Sequence, residues 1–150
     1  MSKNKQYYID RALDYFNQGY ACSQAVLLAY APKYSLDETA AKLIASTFGG
    51  GMGRLREKCG AITGGFMVLG LEYGNTNPTD MDTKLNSYRK VRELNKKMLA
   101  KHETTMCGEL LQKYVSKEEV AERKHHKIIC TTMVADVAAE VWELIQSENK

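Results

Sequence analysis

Residues Cys59 to Gly74 read CGAITGGFMVLGLEYG, with no charged side chain before Glu72. Ala61, Ile62, Phe66, Met67 and Leu69 are apolar and most of the residues between them are small, a composition that suits a helix buried on every side. Nothing here or elsewhere alternates with period two, so essentially no sheet is expected. Gly60, Gly64 and Gly65 each weaken such a helix by about 1 kcal/mol relative to alanine. They are expected where a neighbouring backbone comes close.

The flanking sequence provides further helices to cover this one. Upstream, Tyr8, Leu13 and Phe16 begin a helix that Gly19 can end in the left-handed conformation. A second runs from Ala21 or Cys22 to Ala31, where Pro32 stops it. Ser35-Leu36-Asp37-Glu38 has the capping-box pattern and opens a third through Ala45, followed by a loop from Gly49 to Gly53. Downstream, Asn75-Thr76-Asn77-Pro78 is a turn. Thr79 or Asp80 then caps a long helix to about His102, with an expected inward stripe of Leu85, Tyr88, Val91, Leu94 or Asn95, and Met98. Cys107 begins a short helix through Tyr114, and Ser116-Lys117-Glu118-Glu119 offers another capping box. The last helix is expected to start near Cys130 and carries Val134, Val137, Ala138, Val141 and Ile145 at core spacing. The prediction is an all-α chain, residues 1–150 forming a single compact bundle of about six to seven helices.

With 150 residues, of which 44% are hydrophobic and 26% charged, the chain can bury a core without disulfides or structural metal. The N-terminal MSKNKQYYIDRAL has no apolar leader, and no apolar run reaches about 18 residues, so a cytoplasmic location and no membrane span are expected. In that reducing compartment four cysteines read as redox-active or metal-bound rather than as a permanent framework. A net charge of +3 does not argue for nucleic acid. Lys84, Arg89, Lys90, Arg92, Lys96, Lys97 and Lys101 give the long helix a basic face, which reads as solvated, although it could also receive an acidic redox partner. His125-His126 fits a polar connection, and His102 a helix end where it favours the dipole. Trp142, Met67 and the tyrosines read as core or interface, and an exposed apolar stripe would favour a homodimer.

Cys22, Cys59, Cys107 and Cys130 are separated by 37, 48 and 23 positions, which excludes CxxC, CxxCH and the usual zinc-finger and ferredoxin spacings. Any joint site must be assembled by the fold. Each cysteine falls at or just before a predicted helix start, where N–H groups and the dipole favour a thiolate. Cys59 has Arg54, Arg56 and Lys58 within five residues before it, and so is expected to be the most activated. The glycine loop has no preceding strand and no Gly-Lys-Ser/Thr, so it is not a phosphate loop. Its glycines are expected to leave the Cys59 sulfur approachable, with Arg54 and Arg56 tuning the thiolate or attracting an anionic partner.

Cys59-Gly60-Ala61-Ile62-Thr63-Gly64, one cysteine upstream and two downstream make the chain resemble the C_GCAxxG_C_C family, whose members are regarded as redox-active. The match includes Ala21-Cys22-Ser23-Gln24-Ala25-Val26, Phe48-Gly49-Gly50-Gly51-Met52-Gly53 and Leu69-Gly70-Leu71-Glu72-Tyr73-Gly74. The resemblance implies a helical domain with four functional cysteines and an association with oxidoreductases. Similar domains occur with haem or an iron–sulfur centre in split-Soret-type cytochromes. This chain has neither an export signal nor CxxCH, so covalent haem and periplasmic residence do not carry over.

Two chemistries fit. In one, Cys59 pairs reversibly with another of the four as a dithiol/disulfide, carrying electrons or sensing oxidants. In the other, Cys22, Cys59, Cys107 and Cys130 gather around an iron–sulfur cluster or, less readily, zinc. An oxidoreductase, a carrier and a sensor each fit the first, with a redox protein as the expected partner.

Overall fold

The computed structural model describes residues 3–113 and 123–147. Among them are seven helices and no strand: α1 (Lys5–Asn17), α2 (Cys22–Tyr30), α3 (Glu38–Ser46), α4 (Gly60–Tyr73), α5 (Met81–His102), α6 (Cys107–Lys113) and α7 (Arg123–Ser147). A 3-10 turn, Ala31–Tyr34, follows α2. The all-α expectation holds, and the central helix is α4. It packs on α2, α5 and α7, while α1 closes the other side against α2 and α7.

Gly64 and Gly65 of α4 lie at helix crossings. A methyl group on Gly64 would sit 2.7 Å from the Ser23 carbonyl oxygen, and one on Gly65 would sit 2.7 Å from Val137 Cγ1 and 2.9 Å from Leu94 Cδ2. Their loss of helix propensity is offset by close packing of α4 against α2, α5 and α7. Val134, Val137, Ala138, Val141 and Ile145 are all buried in the core, as their spacing predicts. Tyr30 stacks on Tyr8 at 4.3 Å between centroids, and its hydroxyl donates to the Ala138 carbonyl at 2.6 Å. Tyr30→Phe leaves that carbonyl short of a donor, and a loss of about 1 kcal/mol is expected in urea unfolding. An unchanged midpoint would mean that the bond contributes nothing.

The helix ends follow local chemistry. Gly19, at φ +107°, lets its own N–H reach the Phe16 carbonyl and that of Tyr20 reach Tyr15, which closes α1. Asp37, not Ser35, caps α3 by accepting from Ala40 N–H at 2.9 Å, while Ser35 takes the left-handed position after the 3-10 turn. Asp80 caps α5 through Thr83 N–H.

Two expectations are corrected. The inward face of α5 is Lys90, Leu94, Met98 and His102, whereas Leu85 and Tyr88 are 54% and 50% exposed. Spacing alone favoured the more apolar stripe. The chain instead buries the stem of Lys90, whose ammonium lies 5.1 Å from the Tyr73 ring centre and 3.7 Å from Glu93. Helix α7 begins by Arg123 rather than near Cys130, because no breaker interrupts residues 123–130. The backbone of His125 and His126 is therefore helical, not a connection. The capping box at Ser116–Glu119 lies outside the described residues. His102 does close α5, and its Nε2 lies 2.8 Å from Asp136 Oδ2, joining α5 to α7.

Candidate functional site

Cys22 is the first residue of α2, Cys59 the residue before α4 and Cys107 the first residue of α6, as their sequence contexts predict. Cys130 departs from that pattern, lying about two turns inside α7. A short backbone ladder sets the starts of α4 and α6 side by side: Cys59 N–H donates to the Thr105 carbonyl at 2.8 Å, Cys107 N–H to Glu57 at 2.6 Å and Gly108 N–H to Arg56 at 3.2 Å. Lys58 and Met106 form its antiparallel bridge. Four residues a side are too few to alternate visibly in sequence, so this ladder had no readable signal.

The glycine loop is wound the unusual way. Gly50, Gly51, Met52, Gly53 and Arg54 all have φ between +59° and +70°, and Arg56 follows at +61°. L-residues resist this conformation by roughly 1–2 kcal/mol each, so Met52, Arg54 and Arg56 are held there by their surroundings. A methyl group on Gly51 would sit 2.6 Å from Cys107 Cβ, and one on Gly60 would sit 2.5 Å from Cys22 Sγ. These two bare positions let Cys107 and Cys22 close onto the turn that carries Cys59.

All four cysteines are free thiols; Cys22, Cys59 and Cys107 are buried and Cys130 is half-buried. Burial pushes the Cys59 thiol well up, reinforced by Cys22, against the opposing pull of the Ile62 and Ala61 N–H groups. Cys22 is raised by burial and by Cys107, opposed by the N–H groups of Gly50, Ser23 and Ala61. Cys130 is pushed up to about 12 by burial, then by Cys22 and Cys107, with Arg56 opposing. Cys107 thus acts on Cys22 and Cys130, and Cys22 and Cys130 act on Cys59, so the four thiols form one electrostatically linked cluster. The helix-start effect expected from sequence is present at Cys22 and Cys59, but desolvation exceeds it.

The basic residues are also redistributed. Lys58 Nζ donates to Asn95 Oδ1 and Thr105 Oγ1, both at 2.7 Å, and burial lowers its pKa. Arg56 Nη1 donates to Cys107 Sγ at 3.6 Å. Arg56 of the basic run thus bonds Cys107, while Lys58 interacts electrostatically with Cys59. Cys59 is not the approachable thiol. An open cavity of about 590 Å³ is lined instead by Cys22, Cys130, Arg54 and Arg56, with Ser46 and Phe16, two residues that sequence gave no reason to select.

Raised thiol pKa values make stability fall in alkali. Unfolded thiols ionise near 9.0 while the folded ones stay protonated, so above that pH the unfolded state binds fewer protons. Stability of the reduced chain should be level below about pH 8 and then fall towards pH 12, by about 1.4 kcal/mol per pH unit for each thiol in that window. Urea unfolding at pH 8 and 10.5 measures this, and a flat profile would contradict the burial of the cluster.

The family model described as "Putative redox-active protein (C_GCAxxG_C_C)" matches residues 20–144. The chain belongs to the C_GCAxxG_C_C family. The match takes in all four cysteines, the glycine loop and the ladder, so the C_GCAxxG_C_C region and the thiol cluster coincide. No curated protein and no solved structure matches the chain. Among the described residues no helix is long and apolar enough to cross a membrane.

Proposed function

We propose that this chain is a dithiol/disulfide electron carrier in which Cys22 and Cys130 form the exchanging pair at the cavity, with Cys59 and Cys107 behind them. The observation that carries this reading is that two of four mutually interacting free thiols share one solvent-accessible cavity. This reading sets Cys59 behind the pair because Cys22 and Cys130 line the cavity and Cys59 does not, and exchange requires access.

The direction of electron flow follows from the same burial. Stabilising thiolates makes a disulfide oxidising; here ionisation is opposed, so the reduced form lacks that stabilisation and the pair is expected to act as a reductant. A midpoint at or below about −270 mV fits this reading. One near about −120 mV contradicts it. A cytoplasmic address, with a redox protein as partner, fits a reductant of this kind.

The metal alternative finds less support. Among the described residues no three His, Cys, Asp or Glu side chains are arranged to hold a metal ion. An iron–sulfur or zinc centre on Cys22, Cys59, Cys107 and Cys130 would need the cluster to rearrange.

Serine variants test the pairing. Cys130→Ser and Cys22→Ser should each abolish reversible two-electron oxidation, whereas Cys59→Ser should retain it with an altered midpoint. Loss in Cys59→Ser alone, with the folded circular-dichroism signal intact, would return the centre to Cys59.

A further inference from the structure

The stem of Arg54 and the head of Arg56 meet over Gly50. A methyl group there would lie 2.9 Å from Arg54 Cγ and 3.8 Å from Arg56 Nη1. The N–H of that same Gly50 faces the Cys22 sulfur, and both arginines line the cavity with Cys22 and Cys130. Among the described residues no acidic side chain lines this cavity, and neither arginine is in an ion pair. Two cationic side chains thus line one cavity with no acidic side chain in its wall to balance them. A bound anion would balance that charge, and arginine is the side chain best shaped to grip a carboxylate.

We propose that this cavity is a substrate site for small disulfides bearing carboxylates, which Arg54 and Arg56 bind while a ligand sulfur meets Cys130 beside Cys22. The proposal rests on the dithiol reading and names its electron acceptor. A volume of about 590 Å³ admits a molecule of this class. Cys130 leads because it is the most exposed of the four thiols and Arg56 favours its ionised form. Its sulfur, having released a proton, attacks one ligand sulfur. The ligand S–S bond breaks, and one half leaves as a thiolate that takes up a proton. The Cys22 sulfur, losing its own proton, then attacks Cys130 Sγ in the mixed disulfide and expels the second half, which is protonated in turn. Two protein thiols become one disulfide, and two electrons and two protons reduce the ligand to two thiols.

Three disulfides of similar length and opposite charge test this on the full, reduced chain: 3,3′-dithiodipropionate, 2-hydroxyethyl disulfide and cystamine. The rate of protein thiol loss with each is divided by its rate with dithiothreitol, which removes intrinsic reactivity. The anionic probe should be fastest and the cationic slowest, about tenfold or more apart at low salt. About 0.5 M salt should compress that spread. Arg54→Asp, a residue that tolerates the left-handed conformation, should reverse the order of the anionic and cationic probes. Normalised rates equal within about twofold, or an order unchanged by both salt and Arg54→Asp, would overturn the anion site while leaving the dithiol reading in place. Failure of all three probes to oxidise the chain would overturn both.

Discussion

Carbamidomethylation of Cys130 in the reduced chain is expected to accelerate about tenfold for each pH unit from 7 to beyond 10, with no plateau near 9. A thiol raised from 9.0 to about 12 is about a thousandfold less ionised at neutral pH than an ordinary one. Only the thiolate reacts, so the deficit appears directly in the rate and recovers with alkali. Peptide mapping with iodoacetamide across the pH range reads each cysteine separately. Cys22 and Cys59, also raised and more deeply buried, should label more slowly still. A plateau near pH 7 at any of these three sites would mean that positive charge outweighs burial, and would restore the activated-thiolate expectation drawn from the basic run before Cys59.

Gly51→Ala is expected to be the most damaging single methyl group in the loop. The position has φ +70°, and the added carbon would meet Cys107 Cβ at 2.6 Å, the Glu57 nitrogen at 2.8 Å and Arg56 Cα at 2.9 Å. Two of those three atoms are backbone, so no flexible side chain can give way. Overpacking of about 1–3 kcal/mol adds to about 1–2 kcal/mol for a left-handed L-residue, for a loss of roughly 2–5 kcal/mol in chemical denaturation. The more specific consequence is at the cluster: the α6 start is pushed off the ladder, and the Cys107 sulfur moves away from Arg56. Gly70→Ala is the control, because nothing lies within 4 Å of its added carbon. Equal behaviour of the two variants would mean that the loop does not position Cys107.

Helix α4 was legible because burial on all sides leaves a compositional mark, an uncharged run with glycines where neighbours cross it. The core face of α7 was legible because Val134, Val137, Ala138, Val141 and Ile145 repeat at helical spacing. The start of α7 was not, since Arg123 to Cys130 contains no cap or breaker and a helix that begins earlier reads the same. On α5, the choice of Lys90 over Leu85 as an inward residue depends on Tyr73 and Glu93, which only the packed chain brings near. The placement of Cys22, Cys59 and Cys107 at helix starts was readable from local context. The geometry that joins them was not: a ladder of four residues a side and a left-handed turn set the cysteines' positions, and neither has a periodic pattern. The partners of the basic run were unreadable for a related reason: Lys58 and Arg56 lie beside Cys59 in sequence, and the ladder and the loop also bring them to Thr105 and to Cys107.

The central claim is that the cluster exchanges electrons as a Cys22–Cys130 dithiol/disulfide. Its most direct test is a redox titration of the anaerobically purified chain, followed by intact mass, disulfide mapping and metal and sulfide counts on the same samples. The account predicts a reversible two-electron step, a mass loss of about two daltons and a peptide joining Cys22 to Cys130, with no stoichiometric metal. Four thiols that survive mild oxidation, or iron with acid-labile sulfide bound to the reduced chain, would contradict it.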